Sequence, residues 1–268
     1  MDNQVNISIH QKINKNRMGR DFIIGDIHGH KKRLFKALES VNFDESKDRL
    51  FALGDLIDRG KNSLAVLTML YEKPWFYSIR GNHEQMLIER FDLPFAKPLY
   101  MSAVRTQSDA IKDHRNNGGK WFDKLSSEVA KQRIHQNLSQ LPYAITLETE
   151  LGEIGLVHAE VPGRFDSWAA FIDGLIQNKK VQEEAIWNRL AIESVWSVER
   201  DCYWVPEFQD EPKFVKEVIA TVHGHTPVKT PVIWGNQVWI DTGHLGEALT
   251  IVQAEDILGL FNNENCTY

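Results

Sequence analysis

Three short stretches of this chain concentrate side chains that could do chemistry together. Asp26 and His28 lie in Gly25-Asp26-Ile27-His28-Gly29. Asp55, Asp58 and Arg59 lie in Gly54-Asp55-Leu56-Ile57-Asp58-Arg59-Gly60, and Asn82 and His83 in Gly81-Asn82-His83-Glu84. Carboxylate, amide and imidazole groups are ligands for hard and borderline divalent ions. A guanidinium fork matches phosphoryl oxygens. Two such ions ~3.5–4 Å apart can hold the nucleophile and both oxygens of an in-line displacement. The chemistry these residues fit is metal-assisted hydrolysis of a phosphoester.

No single stretch carries that reading alone. An isolated Asp-x-His is more often a turn than a ligand pair. A tight turn ending in a helix-capping Asp explains one Gly and one Asp of the second stretch. It does not explain two carboxylates and an arginine in one loop. Asp55 sits at a strand end, the natural place for a carboxylate shared by two ions. His158 follows an apolar run and by itself reads as a core histidine; beside two strand-end metal stretches, a ligand is the better reading. His223-Gly224-His225 offers two imidazoles that strand alternation would put on one face, so spacing alone leaves open which takes part. His30, His114, His135 and His244 have no supporting partner in the sequence and are left out of the site.

The elements that must position these residues alternate. Residues 22–24, 50–53 and 75–79 are apolar runs that read as strands, each stopping at one of the three stretches. Helical spacing follows each: Leu34, Phe35 and Leu38, then Leu64, Leu67, Met69 and Leu70, then 85–91. Strand and helix in alternation predict parallel α/β units, whose sites gather beyond the carboxyl ends of the strands. Residues 93–141 read as helical and polar, broken at Asn117-Gly118-Gly119. Strands in a hairpin are expected at 143–147 and 154–157, helices at 168–176 and 181–187, a strand at 218–222, a second hairpin at 232–234 and 238–240, and a last strand at 248–252. Parallel units first and antiparallel hairpins later predict two sheets packed face to face, with helices outside and the site where loops of both sheets meet.

Bulk properties narrow the function classes. The 268 residues, 42% apolar and 25% charged, fit one globular domain over the whole chain. Residues 1–20 form an N-terminal arm or edge strand in this reading, with Val5, Ile7 and Ile9 alternating with polar residues. A net charge of −6 speaks against a nucleic-acid partner, and the nearest basic cluster, Lys31-Lys32-Arg33, reads as a solvated helix face. No stretch approaches the ~20 apolar residues of a membrane span, so no membrane role is expected. Cys202 and Cys266 are the only cysteines and form no CxxC pair, which suits a reducing cytoplasm.

The three stretches together resemble the phosphoprotein phosphatase family, whose signature is GDxHG, GDxxDRG and GNHE. The likeness to bacteriophage lambda protein phosphatase and its bacterial relatives extends through Asn117-Gly118-Gly119-Lys120-Trp121-Phe122, Val157-His158-Ala159, Ile186-Trp187-Asn188-Arg189, Gly224-His225-Thr226-Pro227 and Ile240-Asp241-Thr242-Gly243. It implies a metallophosphatase-type α/β/β/α sandwich: two mixed sheets flanked by helices, with the metal site at strand-end loops. It implies Asp26 and His28 as ligands of a first ion, Asp55 as the bridge, and Asn82, His158 and His225 as ligands of a second. It also implies His83 as the acid, Asp58 as its holder, and Arg59, Arg189 and Asn82 as phosphate-binding groups. The implied reaction is direct attack of a metal-bridging water on phosphoserine or phosphothreonine in a protein. The implied cofactors are two divalent ions, Mn²⁺ first, with Fe²⁺ or Zn²⁺ suited to the same donors. Symmetrical dinucleoside polyphosphate hydrolysis is the nearest alternative. An inactive metal-binding adaptor is a third reading, opposed by the intact Asp58, His83, Arg59 and Arg189. The absence of a second His after Gly224-His225-Thr226, where Pro227 stands, points away from the related nucleases.

Overall fold

A computed structural model describes residues 9–92, 106–193, 196–197, 202–203, 212–244 and 248–262. Val5 and Ile7 lie outside them, as does the first part of the polar helical stretch, 93–105. Strand β1 (His10–Ile13) is followed by β2 (Asp21–Ile24), α1 (Lys31–Ser40), β3 (Arg49–Ala52), α2 (Ser63–Glu72), β4 (Phe76–Ser78) and α3 (Asn82–Ile88). β2, β3 and β4 pair in parallel, as the alternation predicted. Helices α4 (Gln107–His114), α5 (Lys120–Asp123) and α6 (Glu128–Ser139) come next, with a π-type turn over Arg115–Gly119 between α4 and α5. Thr106 and Ser127 cap α4 and α6, their hydroxyls accepting the N–H of Asp109 and of Ala130.

The second half brings β5 (Ala144–Glu148), β6 (Glu153–Val157), α7 (Trp168–Gln177), α8 (Lys179–Trp187), α9 (Leu190–Glu193), β7 (Trp196–Ser197), β8 (Cys202–Tyr203), β9 (Ala220–His223), β10 (Val232–Trp234), β11 (Gln237–Trp239) and β12 (Ile251–Gln253). A six-stranded sheet runs β1-β5-β6-β9-β11-β10, and a four-stranded sheet runs β12-β2-β3-β4. An edge strand lies at His10–Ile13 and pairs in parallel with β5. The expected hairpins β5–β6 and β10–β11 are antiparallel. The six-stranded sheet is mixed, as the resemblance implied, because β9 lies parallel to both β6 and β11. Hairpin signals are local, whereas these crossovers join strands far apart in the chain, and no local pattern records them.

Side-chain alternation separates the layers. Ile23 and Phe51, with Leu53 just beyond β3, pack against Ile145, Leu147, Ile154, Leu156, Val222 and Val238, so the two sheets share one buried core. On the opposite face Phe22, Ile24 and Leu50 meet Leu34, Leu38, Val66, Leu67 and Leu138 of α1, α2 and α6. The far face of the six-stranded sheet, at Ala144 and Val157, is covered by Phe171, Leu175 and Ala185 of α7 and α8. The order is helices, sheet, sheet, helices. The strand ends of β2, β3, β6 and β9 all open toward one edge of this sandwich.

Candidate active site

Each loop at that edge is bent more sharply than an extended chain. Among the described residues, the non-glycine residues at positive φ are His28, Asn42, Asp55, Asp58, Arg59, Glu217 and His225, and five of these seven are predicted site residues. Left-handed backbone costs an L-residue of order 1–3 kcal/mol, so neighbouring contacts must hold it. Glu84 does much of this. Its carboxylate accepts the N–H of Asp55 at 2.8 Å, of Leu56 at 2.9 Å and of Gly81 at 2.9 Å, tying the second loop to the third. Asp26 accepts the His225 N–H at 3.1 and 3.2 Å, joining the two sheets. That approach needs Gly224, where an added Cβ would collide with the Asp26 carboxylate. Asp58 is not a helix cap: α2 starts at Ser63, with Asn62 in the cap position.

Asp55 faces two groups of imidazoles with different oxygens. Its Oδ2 lies 3.6 Å from His28 Nε2 and 3.8 Å from His83 Nε2, and its Oδ1 lies 3.4 Å from His158 Nε2. His28 Nε2 is also 3.8 Å from Asp26 Oδ2. These gaps exceed hydrogen-bond length. Two ligand atoms each ~2.1 Å from one ion and ~109° apart would be separated by ~3.4 Å, so the spacing suits a cation between them. Metal-ligand atoms of His28, Asp55 and His83 lie within 4.8 Å of one another, as do those of Asp26, Asp55 and His158.

The imidazole tautomers make the same point. His28 Nδ1 faces the Ile57 carbonyl at 2.9 Å, and His158 Nδ1 faces the Leu53 carbonyl at 2.6 Å. His225 Nε2 faces the Trp187 carbonyl at 3.2 Å. A nitrogen on a carbonyl must carry the proton, so the other nitrogen of each neutral ring holds a lone pair. For His158 and His225 that lone pair points at Asn82 Oδ1, 2.9 Å away in both cases. Three acceptors thus converge with no proton among them, an arrangement a cation satisfies. Burial pushes all three imidazoles toward the neutral form: His28 to about 3, His158 below its usual range and His225 well below it.

The carboxyls complete the fit. Burial, then the nearby charges of Asp241 and Asp55, push Asp26 well above the usual carboxylate range. Burial, then Asp55, push Asp241 up to about 7. Neither Asp241 oxygen makes a hydrogen bond of ordinary geometry, although the Gly243 amide favours its charged form. For Asp55, burial acts upward but is outweighed by His158, His83 and His28, which hold it far below the ordinary range. Buried carboxyls that repel one another beside inward lone pairs fit a pair of divalent ions.

His83 differs from the other imidazoles. Its Nδ1 lies 2.7 Å from a carboxylate oxygen, Asp58 Oδ2, instead of a backbone carbonyl. Burial alone would lower His83, but the Asp55 charge and the Asp58 hydrogen bond outweigh it and raise it above the usual histidine value. Arg59 is exposed, and its guanidinium spans His28 Nε2 at 2.7 Å and His83 Nε2 at 3.2 Å. Arg189, half-buried between α8 and α9, donates to the His225 carbonyl and to Thr226 Oγ1, each at 3.2 Å. Glu160 steadies that turn by accepting the Ala191 N–H at 2.8 Å.

All the predicted residues therefore gather at one edge, while His223 does not join them. β9 ends at His223, and positive φ at His225 breaks the alternation that would have put both rings on one face. His223 hydrogen-bonds to the Val157 carbonyl and to Thr221 Oγ1, and packs against the Trp239 ring with centroids 4.9 Å apart. His114, Trp121 and Asp241, none with a predicted role, also join the site. His114, left out for want of a partner, lies 3.0 Å from Asp58 Oδ1, and Trp121 Nε1 donates to the same oxygen at 2.7 Å. The signals for His114 and Trp121 were the helix break at Asn117-Gly118-Gly119 between the two and, for Trp121, its place in a stretch that carries the resemblance. Asp241 was visible as part of Ile240-Asp241-Thr242-Gly243, but nothing in its spacing showed which way it faces.

The chain is similar to several known proteins. The calcineurin-like phosphoesterase family model matches residues 22–238. "Serine/threonine-protein phosphatase 1" of Salmonella typhimurium (strain LT2) is 29% identical over 250 residues, covering 92% of this chain and 97% of that protein. The symmetrical bis(5'-nucleosyl)-tetraphosphatase of Coxiella burnetii (strain Dugway 5J108-111) is 43% identical over 67 residues, which is 25% of this chain and 23% of that protein. Among solved structures, a cold-active protein-tyrosine phosphatase of a psychrophilic Shewanella species matches with a TM-score of 0.50 at 16% identity, covering 92% of this chain and 77% of that one. That last likeness concerns the fold alone.

Proposed function

This chain belongs to the calcineurin-like phosphoesterases, and we propose that it removes phosphate from phosphoserine and phosphothreonine in proteins and peptides. The observation that carries this reading is Asp55, with one oxygen toward His28 and the other toward His158. In this reading Asp26, His28 and Asp55 hold one divalent ion, and Asp55, Asn82, His158 and His225 hold the other, with Mn²⁺ the first candidate for both. Bound there, two divalent ions would activate water at neutral pH and neutralise charge on the phosphoryl oxygens.

The chain's own residues supply the rest. Arg59 and Arg189 approach the site from the two sheets, and two planar forks suit a phosphoryl group whose charge spreads over three oxygens. In this reading the exposed Arg59 turns from His28 and His83 to a bound phosphoryl group, which frees His83 Nε2, an acceptor from Arg59 in this arrangement, to carry a proton. Water attacks phosphorus, the bond to the seryl oxygen breaks, and the departing alkoxide needs a proton. His83 provides it from Nε2, while Asp58 holds Nδ1 and stabilises the protonated ring. The products are the free hydroxyl side chain and inorganic phosphate, with no covalent enzyme intermediate.

Support for a protein substrate comes from the relatives. The one aligned over 92% of this chain is named a serine/threonine-protein phosphatase, while the tetraphosphatase match covers 25%. The test is a kinetic comparison on Mn²⁺-loaded protein. Phosphoserine and phosphothreonine peptides should be hydrolysed with a higher kcat/KM than diadenosine tetraphosphate. A kcat/KM for the dinucleotide well above that of every phosphopeptide would replace this reading with dinucleoside polyphosphate hydrolysis.

A further inference from the structure

The Asn117-Gly118-Gly119-Lys120-Trp121-Phe122 stretch has no part in the chemistry above, yet it packs directly on the residues that do. Asp58 is fully buried and its two oxygens have separate duties. Oδ2 accepts from His83. Oδ1 lies 3.0 Å from His114 Nε2 and accepts from Trp121 Nε1 at 2.7 Å. The His114 tautomer follows from its other side. Nδ1 lies 3.2 Å from Arg90 Nη1, and an arginine only donates, so Nδ1 carries the lone pair and Nε2 carries the proton. His114 is thus a donor to Asp58. Arg90 is itself anchored to Asp123 at the end of α5.

The turn between these two donors holds the backbone of the same loop. Gly118 has φ of +102° and lies so close to Arg59 that an added Cβ would strike the Arg59 amide nitrogen. Gly119 lies equally close to the His114 ring. Asp58 and Arg59 sit at φ of +71° and +60°, so this brace covers the two adjacent residues whose backbone is most in need of it. The Asp58 N–H is also held, by Ser63 Oγ at 3.0 Å.

We propose that His114 and Trp121 are positioning residues for proton delivery: by holding Asp58 Oδ1 they fix the carboxylate whose Oδ2 aims His83 at the leaving oxygen. The Asn117-Gly118-Gly119 turn joining them fixes the backbone from which Arg59 reaches the phosphoryl group. A carboxylate held at one oxygen only can swing about its side-chain bond. Two further donors on the other oxygen stop that motion, so Oδ2 stays on His83 Nδ1 and the ring keeps its aim. This inference rests on the proposed roles of His83 and Asp58.

The test uses leaving groups. A seryl alkoxide needs a proton, whereas a p-nitrophenolate barely does. Hydrogen bonds to a charged group contribute about a 10- to 100-fold effect when lost. Trp121→Phe, which removes one N–H, and His114→Leu should each lower kcat on a phosphoserine peptide by about that factor, with KM nearly unchanged. Turnover of p-nitrophenyl phosphate and the number of bound ions should hardly move. His114→Gln, which keeps a donor, should restore most of the peptide rate. In an Asp58→Asn background, adding Trp121→Phe should cost nothing further. Equal losses on both substrates would overturn the inference, provided His83→Asn itself shows the leaving-group difference. If His83→Asn shows none, the acid assignment fails and this inference fails with it. Should His114→Leu not fold, Trp121→Phe and His114→Gln decide between these outcomes on their own.

Discussion

The two sheets contribute differently to the edge where they meet. Loops of the four-stranded sheet bring Asp26, Asp55 and Asp58 together with His28, Arg59 and His83. Loops of the six-stranded sheet bring His158 and His225, one imidazole each, held through the far nitrogen by a backbone carbonyl. The first region carries strain and is braced: four of its site residues have positive φ, Glu84 ties its loops, and His114 and Trp121 grip Asp58. The second needs little bracing, because a neutral ring in a fixed tautomer is already set to offer a lone pair. The proton-carrying pair Asp58 and His83 is thus built on one side, while the other adds neutral ligands together with the charges of Asp241 and Arg189. Asp55 is where the two meet.

The comparison breaks first at that shared residue. Asp55→Asn removes a charge that faces both groups, so neither ion should be held well and turnover should fall by ~10³-fold or more, as expected when several kcal/mol of metal stabilisation are lost. The check is ion content and kcat measured on one preparation. Loss of a single ion with the other kept at full affinity would mean the two groups are independent.

The proton-carrying side is sharpened by His83→Asn. A loss of ~10²–10⁴-fold in kcat is typical of a missing general acid. It should appear with phosphoserine peptides and shrink with p-nitrophenyl phosphate. The sign of the pH dependence follows from the raised His83 value. A histidine raised above its usual 6.5 keeps its proton past that pH and loses it as pH climbs through the raised value. Peptide turnover by the native protein should therefore hold above pH ~6.5 and decline on the alkaline side. His83→Asn should lose that alkaline decline. A native profile already falling between pH ~5 and ~6.5 would contradict the assignment.

Legibility followed the same division. On the four-stranded side, Asp26, His28, Asp55, Asp58, Arg59, Asn82 and His83 stood within three short stretches, and the apolar runs before them marked β2, β3 and β4 closely. Local sequence sufficed because each loop carries several functional groups directly after its strand. On the six-stranded side a lone His158 or His225 looks like any core histidine; the neighbouring metal stretches favoured His158 as a ligand, and resemblance alone chose His225 over His223. His223 needed the structure, since the backbone reverses at His225 and spacing does not record that. The parallel placing of β9 between β6 and β11 was equally hidden, because crossovers are long-range. His114, Trp121 and Asp241 were missed for the same reason: each acts on a residue far away in the chain, through packing that no local pattern encodes.

Metal content of three forms of the protein tests the shared-centre claim most directly. After loading with Mn²⁺ and removal of excess, the native chain should hold two ions. His225→Ala should hold one, having lost a lone pair at Asn82 Oδ1. His223→Gln should still hold two, because both His223 nitrogens are committed to the core. One ion in the native protein at saturation, or an ion lost from His223→Gln and kept by His225→Ala, would contradict it.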